Sequence, residues 1–309
     1  MSCKTRIQKA YDGAVRLPLD ACSRYVLISD CHRGTGTVYD NFLKNRHLYL
    51  AALEYYYRRN FFYIELGDGE ELWENRDRNQ IQTYHEEVYC MLCRFQRQGR
   101  MLQLYGNHNM ELKEKTKNGT KTAENYRKRR GLEEEPGRTK TAENYQSRRR
   151  NCENFWKEGL KEGALLENRS GGRDICLIHG HQADFFNSVL WKLSRFLVRY
   201  LWKPLEHFGV NDPTSAAKNF KKQSRYERCM AEWAKEKDIY LAAGHSHRPA
   251  LPGEGGLYIN TGSCVHPGGI TAVEIENMKM TLVKWQMSTR PDMTLFVERV
   301  TIAGPVEVE

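Results

Sequence analysis

The chain has 309 residues, enough for one large α/β domain with insertions or for two smaller domains. Its hydrophobic content of 40% and charged content of 28% are typical of a packed globular protein and exclude wholesale disorder. The net charge is +9, but residues 113–150 hold 13 Lys+Arg against 6 Asp+Glu, which leaves +2 for the rest of the chain. This distribution argues against nucleic acid as the partner of the domain surface.

Eight short apolar runs have the length and composition of β-strands. In chain order they are RYVLIS (24–29), FFYIEL (61–66), MLQLY (101–105), DICLI (174–178), IYLAA (239–243), LYIN (257–260), ITAVEI (270–275) and MTLVKW (280–285). Helix-like stretches at 41–59 and 80–98 separate the first three runs. Strands that alternate with helices predict an α/β fold, and the closely spaced last strands predict an antiparallel end to it.

Two segments interrupt this alternation. Residues 113–150 contain the repeat TKTAENYRKRR (120–130) and TKTAENYQSRR (139–149) and predict a solvated basic insertion. Residues 184–237 are predicted to form a helical cap, with a wide apolar stripe over 185–205 that Lys and Arg interrupt. Such a helix either contacts a membrane surface or an acyl chain, or packs on the domain as an ordinary cap. Both alternatives stay open.

The start of the chain and its cysteines bear on the compartment. The N-terminus has no continuous apolar run of the kind found in signal peptides, and no apolar run is long enough to span a bilayer without charges. The nine cysteines follow no disulfide framework. These features predict a cytoplasmic protein with reduced thiols, with peripheral membrane contact through 185–205 as an addition to that prediction.

Five successive predicted strands end in residue types that bind metals. The endings are Asp30-Cys31-His32, Gly67-Asp68-Gly69-Glu70-Glu71, Gly106-Asn107-His108, His179-Gly180-His181 and Gly244-His245-Ser246-His247. Residues i and i+2 of a strand share a face, and ligand sites of α/β sheets lie at the carboxyl ends of strands. Oxygen and imidazole donors without thiolates suit Mn²⁺, Fe or Zn²⁺. The sequence therefore predicts a metal site at these ends.

In this order the motifs resemble those of the calcineurin-like metallophosphoesterase superfamily. That pattern is D-x-H, G-D-x-x-D/E, G-N-H-D/E, H and G-H-x-H, and the chain departs from it at Asn109, where the family has an acid. The resemblance implies a single domain over 1–309 with the fold of a four-layer αββα sandwich and a helical cap insertion. It also implies a dinuclear metal centre that hydrolyses phosphate esters.

The resemblance assigns seven metal ligands in two sets joined by one shared carboxylate. They are Asp30, His32 and His247 for the first metal, Asn107, His179 and His245 for the second, and Asp68 for both. The catalytic residues would be His108, which protonates the leaving group or stabilises phosphoryl charge, and Glu71, which orients that histidine. Two divalent ions are implied, Mn²⁺ first with Fe or Zn²⁺ as alternatives, and a hydroxide between them would attack phosphorus.

Within the superfamily, the layout is similar to the UDP-2,3-diacylglucosamine pyrophosphatases, because a long helical insertion precedes a final GHSHRP. Those enzymes have Arg where this chain has His108 and Asp where it has His181, so the chain is expected to be a relative whose substrate need not be the same. Two further residues are predicted to be near the substrate. Arg33 would meet a phosphate, and His181 would contact the substrate or support a ligand.

Three functions are compatible with these features. The leading prediction is a metallophosphoesterase that cleaves a phosphodiester or pyrophosphate bond of a phosphorylated small molecule or of a nucleotide- or lipid-linked substrate. The basic segment 113–150 leaves a metal-dependent nuclease as an alternative, although nucleic acid is not the expected partner. A non-catalytic interaction module on the same fold is the third alternative, which the intact ligand set disfavours.

Overall fold

The computed structural model describes residues 1–37, 39–113, 159–202 and 220–309. The predictions for the basic repeat at 120–149 lie outside these residues. So does the middle of the predicted cap, 203–219.

Eleven strands lie within the described residues: β1 Val15–Leu19, β2 Arg24–Ile28, β3 Phe62–Leu66, β4 Met101–Leu104, β5 Gly163–Asn168, β6 Ile175–Ile178, β7 Tyr240–Ala243, β8 Tyr258–Asn260, β9 Gly269–Glu276, β10 Lys279–Thr289 and β11 Leu295–Glu307. They form a six-stranded sheet in the order β11-β10-β9-β2-β3-β4 and a five-stranded sheet in the order β1-β5-β6-β7-β8. In the first sheet β2, β3 and β4 are parallel, whereas β9, β10 and β11 are antiparallel, as the spacing of the last strands predicts.

The described helices are α1 Cys3–Asp12, α2 Arg46–Arg58, α3 Arg78–Tyr84, α4 Glu86–Arg97, α5 Phe185–Ser188, α6 Trp191–Leu197 and α7 Phe220–Lys237. Short 3-10 turns cover Leu43–Asn45, Met110–Leu112 and His181–Ala183, and a π-helical turn covers Val198–Trp202. None of the described helices combines the length and the apolar character needed to cross a bilayer.

Alternation along the strands builds the four layers. Tyr25 and Leu27 of β2 belong to the core between the two sheets, whereas Val26 and Ile28 face the opposite way, onto α2 and α4. On the far side, α1 and α7 cover the five-stranded sheet through a third core that includes Trp233. Because successive strand residues point to opposite faces, the central strands of each sheet contribute to a core on both sides. The structure confirms the predicted α/β class and four-layer αββα sandwich.

The structure departs from the sequence-based expectations in several elements. Strands β1, β5 and β11 were not expected; β1 contains Pro18, which is tolerated because β1 is an edge strand. The predicted helix 80–98 breaks at His85, whose Nε2 lies 2.9 Å from a carboxylate oxygen of Asp40. Met230, Trp233 and Ala234 of helix α7 pack against the five-stranded sheet, so this part of the segment 184–237 belongs to the sandwich.

One pair of cysteines also differs from expectation. Cys3 of α1 and Cys229 of α7 form a disulfide, so the prediction of reduced thiols does not hold for this pair. Four other cysteines, Cys31, Cys93, Cys176 and Cys264, are free and buried.

Candidate metal centre

All seven predicted ligands lie at the carboxyl ends of strands, where the two sheets meet. The six-stranded sheet supplies Asp30 and His32 after β2, Asp68 after β3 and Asn107 after β4. The five-stranded sheet supplies His179 after β6 and the pair His245 and His247 after β7. Parallel strands align their carboxyl ends, so residues far apart in sequence converge at one edge.

Left-handed backbone is concentrated among these residues. The φ angles are 52° at Asp30, 47° at His32, 50° at Asp68, 67° at His245 and 58° at His247. This conformation is uncommon for residues other than glycine and costs on the order of 1–3 kcal/mol at each position. Backbone hydrogen bonds stabilise this conformation at two of the positions. Asp30 N donates to Gly67 O at 3.1 Å, and His32 N donates to Asp68 O at 2.8 Å.

Two motif glycines make room for the carboxylates. A Cβ at Gly106 would collide with the side chain of Asp68, and a Cβ at Gly244 would collide with that of Asp30. The glycines of the G-N-H and G-H-x-H stretches are therefore required because an aspartate side chain lies directly against the backbone, and not by the turn alone.

The three ligands predicted for the first metal are together. Ligand atoms of Asp30, His32 and His247 all lie within 4.8 Å of one another. Nε2 of His247 lies 3.0 Å from Oδ1 of Asp30, and Nε2 of His32 lies 3.7 Å from the same oxygen. Asp30 is further fixed by the backbone N–H of His245, which donates to its Oδ2 at 2.9 Å.

The second predicted set is also assembled, and its carboxylate faces both sets. Ligand atoms of Asp68, His179 and His245 lie within 4.8 Å of one another. Oδ2 of Asp68 is 3.1 Å from Nε2 of His179 and 3.8 Å from Nε2 of His32. The amide oxygen of Asn107 lies 3.3 Å from Nε2 of His179, whose Nδ1 donates to the carbonyl of Leu66 at 2.8 Å and so leaves Nε2 for a ligand.

Two of these imidazole nitrogens support a fit to cations. Nε2 of His32 and Nε2 of His245 are buried, and neither has a hydrogen-bond partner within the described residues. An unsatisfied buried nitrogen is costly, and a bound cation would satisfy it. Four imidazole nitrogens, two carboxylates and one amide oxygen, without thiolate, form a donor set suited to Mn²⁺, Fe or Zn²⁺. The identity of the metal and the ligand assignment stay predictions.

The electrostatics of the centre favour ionised carboxylates. Burial raises the pKa of Asp30 and of Asp68, but neighbouring imidazoles, chiefly His247 for Asp30 and His179 for Asp68, lower both pKa values well below the ordinary range. Burial lowers the pKa of His32, but its contacts with Asp30 and Glu71 raise it above the ordinary value. Both aspartates are therefore in the form that binds cations at neutral pH.

Glu71 and His108 form a unit beside the ligands. Nδ1 of His108 lies 2.8 Å from Oε1 and 2.7 Å from Oε2 of Glu71, and Nδ1 of His32 lies 2.8 Å from Oε2. The ring of Trp73 stacks on His108 with centroids 4.2 Å apart and an interplanar angle of 23°. The backbone N–H of His108 donates to Oδ1 of Asp68 at 2.8 Å. His108 is thus held on three sides, with Nε2 as its remaining nitrogen.

The structure corrects the role predicted for Arg33. Its side chain is fully buried, and Nη2 donates to Glu65 at 2.6 Å and to Glu70 at 2.7 Å instead of facing the centre. The two carboxylates draw the guanidinium into the protein interior, away from the candidate ligands. The sequence alone does not show which way these side chains point.

His181 is buried next to the second set of ligands. Its ring centroid lies 5.5 Å from that of His179 and 5.7 Å from that of Tyr105, and its Nδ1 has no hydrogen-bond partner within the described residues. Burial, together with His179 and His245, lowers its pKa well below the ordinary value, which keeps the ring neutral. This position suits support of a ligand better than contact with substrate, and both roles stay predictions.

The sequence interpretation missed three residues near the centre. Trp73 stacks on His108, Oδ2 of Asp184 lies 3.9 Å from Nε2 of His245, and Arg199 donates to the carbonyl of Trp73 in the loop that carries Glu71. The position of Asp184 shortly after His179 was a usable signal. Nothing in the sequence pointed to Trp73 or Arg199, because their contacts span distant segments.

Comparison with known proteins adds little to this geometry. No protein-family model matches the chain, and no curated protein matches it. Among solved structures, Vps29 of Chaetomium thermophilum is similar, with a TM-score of 0.36 and 12% sequence identity over 91% of this chain and 99% of that chain. A match at this level says nothing about activity.

Proposed function

We propose that the chain is a metal-dependent phosphoesterase of the calcineurin-like type that hydrolyses a phosphodiester or pyrophosphate bond. One observation carries the proposal. Oδ2 of Asp68 lies within 4 Å of an imidazole nitrogen from each of two ligand groups, 3.8 Å from His32 and 3.1 Å from His179. A shared carboxylate between two groups of nitrogen and oxygen donors is the arrangement that a dinuclear centre requires.

Two divalent cations, when bound, supply charge stabilisation for the phosphoryl oxygens and a nucleophilic water at neutral pH. Asp30, His32 and His247 would hold one cation and Asn107, His179 and His245 the other, with Asp68 shared. Among these ligands the neutral amide of Asn107 keeps the centre less negative, which favours an anionic substrate.

His108 is the residue that moves a proton. Because Glu71 binds its Nδ1, the Nε2 atom is the one that donates a proton to the leaving oxygen. The stacked ring of Trp73 restricts rotation of the imidazole and so keeps Nε2 in one direction. Proton donation of this kind is worth about 10²–10⁴-fold in rate for a poor leaving group.

The cap supports a substrate with an apolar part. Within the cap segment, defined as residues 185–202, six large apolar side chains are at least 45% exposed: Phe185, Phe186, Val189, Leu193, Phe196 and Tyr200. Lys192 and Arg195 lie on the same segment. A phosphorylated lipid-linked substrate, with peripheral contact to a membrane surface, is the proposal that combines these features.

The experiment measures hydrolysis of bis-p-nitrophenyl phosphate with added Mn²⁺, together with the metal content of the purified protein. We expect turnover that requires the metal, with two ions per chain. Asp68→Asn is expected to abolish turnover and to lower the metal content below two, because the variant loses the shared carboxylate. The matched control is Asp238→Asn, which changes an exposed carboxylate at the opposite end of β7. It should leave both turnover and metal content unchanged.

Two results contradict the proposal. Turnover that persists in Asp68→Asn would place the chemistry elsewhere. A wild-type protein that binds no metal, under conditions in which it is folded, would instead favour an interaction module on this fold.

A further inference from the structure

The cap segment contacts the loop that supports His108. Nε of Arg199 donates to the carbonyl of Trp73 at 2.8 Å, and Nη2 of Arg199 donates to the carbonyl of Leu72 at 2.6 Å. These two bonds cross 126 and 127 residues of sequence and use the planar fork of the guanidinium. Arg199 therefore fixes the position of two consecutive peptide groups.

Those peptide groups belong to the segment that holds the proposed proton donor. The backbone N–H of Trp73 donates to Oε1 of Glu71 at 3.2 Å, and the same carboxylate binds Nδ1 of His108. The N–H of Leu72 donates to the carbonyl of His108 at 3.2 Å. The stacked Trp73 ring completes the support. A displacement of residues 71–73 therefore displaces both partners of the His108 ring.

Two further polar contacts join the cap segment to the same region. Arg76 donates from Nη2 to the hydroxyl of Tyr200 at 3.1 Å, and Arg195 forms an ion pair with Glu111 at 2.7 Å. Both are more exposed than the core and contribute little to stability. Arg199 differs from them because it binds backbone carbonyls of Leu72 and Trp73, residues that are themselves buried.

We propose that Arg199 is a positioning residue that couples the seating of the cap segment to the orientation of His108. A substrate group that contacts the exposed apolar face of the cap would thereby influence proton donation at the reaction centre. The kinetic part of this inference rests on the proposed function, because it takes His108 as the proton donor. The structural part, the dependence of the His108 ring on Arg199, stands independently of catalysis.

The first test monitors the environment of the His108 ring by NMR. Protein labelled with ¹³C at histidine shows the Hε1 resonance of His108, assigned by its loss in His108→Asn. Because the Trp73 ring stacks on His108, we expect its ring current to shift this resonance upfield. In Arg199→Met we expect it to move toward the position of an unstacked histidine, whereas the control Lys192→Met, a cation of the same segment whose side chain lies over Trp191, leaves it in place.

The second test uses two substrates that differ in leaving group. Diphenyl phosphate releases phenol and needs a proton donor, whereas bis-p-nitrophenyl phosphate needs one much less. We expect Arg199→Met to lower kcat about tenfold or more for diphenyl phosphate and less than threefold for bis-p-nitrophenyl phosphate, with KM and metal content unchanged. In a variant that already carries His108→Asn, Arg199→Met should cause no further loss of kcat, because both changes act on the same step.

The outcomes separate the two proposals. An unmoved His108 resonance in Arg199→Met, or equal losses for both substrates, overturns the role of Arg199. If the wild type hydrolyses neither substrate, the proposed function fails and the resonance still decides whether Arg199 positions the ring. Arg199→Lys keeps the charge without the two-point fork, and it should shift the resonance in the same direction if the methionine variant does not fold.

Discussion

Glu71 contacts both a candidate metal ligand and the proposed proton donor. Its carboxylate accepts from the Nδ1 atoms of His32 and His108, which fixes the tautomer of both rings. Burial raises the pKa of Glu71, but His108 and then His32 lower it to about 2. One carboxylate thus orients a candidate metal ligand and the proposed proton donor together.

The shifted pKa predicts a pH-dependent contribution to stability. Glu71 stabilises the folded state above its ordinary value of 4.5, and this contribution is lost as the pH falls through the folded value of about 2. In the presence of a chelator, Glu71→Gln should lower the free energy of unfolding by about 3 kcal/mol at pH 6, and the difference should shrink toward pH 2. Urea denaturation between pH 2 and 6 measures this.

The control for this prediction is Glu232→Gln, whose partner Lys4 is at the surface. The free energy of unfolding of this variant should stay within about 0.5 kcal/mol of that of the wild type at every pH. A Glu71→Gln effect that does not vary with pH would show that the side chain acts through packing and not through its charge.

At the scale of elements, a buried ion cluster joins the loops after β2, β3 and β4. Arg33 follows β2 and donates to Glu65 of β3 and to Glu70 beyond it. Glu70 in turn accepts from Nδ2 of Asn109, at 3.1 Å, in the loop after β4. An acid at position 109 would face Glu70 with a like charge, so the amide is the residue type that fits here.

This cluster predicts a large effect of removing its one cation. Arg33→Met leaves two buried carboxylates, Glu65 and Glu70, without the charge that compensates them, and should cost about 3–5 kcal/mol of the free energy of unfolding. The matched control is Arg16→Met, which removes an exposed ion pair to Glu167 and should cost less than about 1 kcal/mol. Equal effects in chemical denaturation would contradict the buried cluster.

At the scale of the whole molecule, the candidate centre joins the two sheets. Asp30, Asp68 and Asn107 come from the six-stranded sheet, and His179 and His245 come from the five-stranded sheet. The two sheets otherwise meet through an apolar core that includes Leu27 and Leu177. A cation bound at this edge therefore links both halves and stabilises the folded state as a unit.

Metal should accordingly raise the stability of the entire chain. With free Mn²⁺ at 100 times its dissociation constant, we expect about 2.7 kcal/mol of added stability for each site, and a higher Tm that a chelator reverses. Scanning calorimetry of the wild type and of Asp68→Asn measures this, and the variant should show a smaller shift. A metal-induced shift of equal size in both would remove the shared carboxylate from the binding site.

The sequence by itself determined the α/β class, most of the strands and the presence of metal-binding residue types at strand ends, because strand length, alternation and motif spacing are local properties. The choice of seven candidate ligands came from the family resemblance of those motifs. The sequence also indicated which residues lie at strand ends. It missed edge strand β1, with its Pro18, and the exposed edge strand β11, because neither has the apolar alternation of a buried strand.

Only the tertiary structure decided the directions of side chains that depend on distant partners. Arg33 turns away from the centre because Glu65 and Glu70 attract it from below, and Trp73 lies on His108 because the two loops pack together. Arg199 reaches the same loop from a segment more than a hundred residues away. Local pattern carries no information on such contacts, since they form only when separate elements meet in the folded chain.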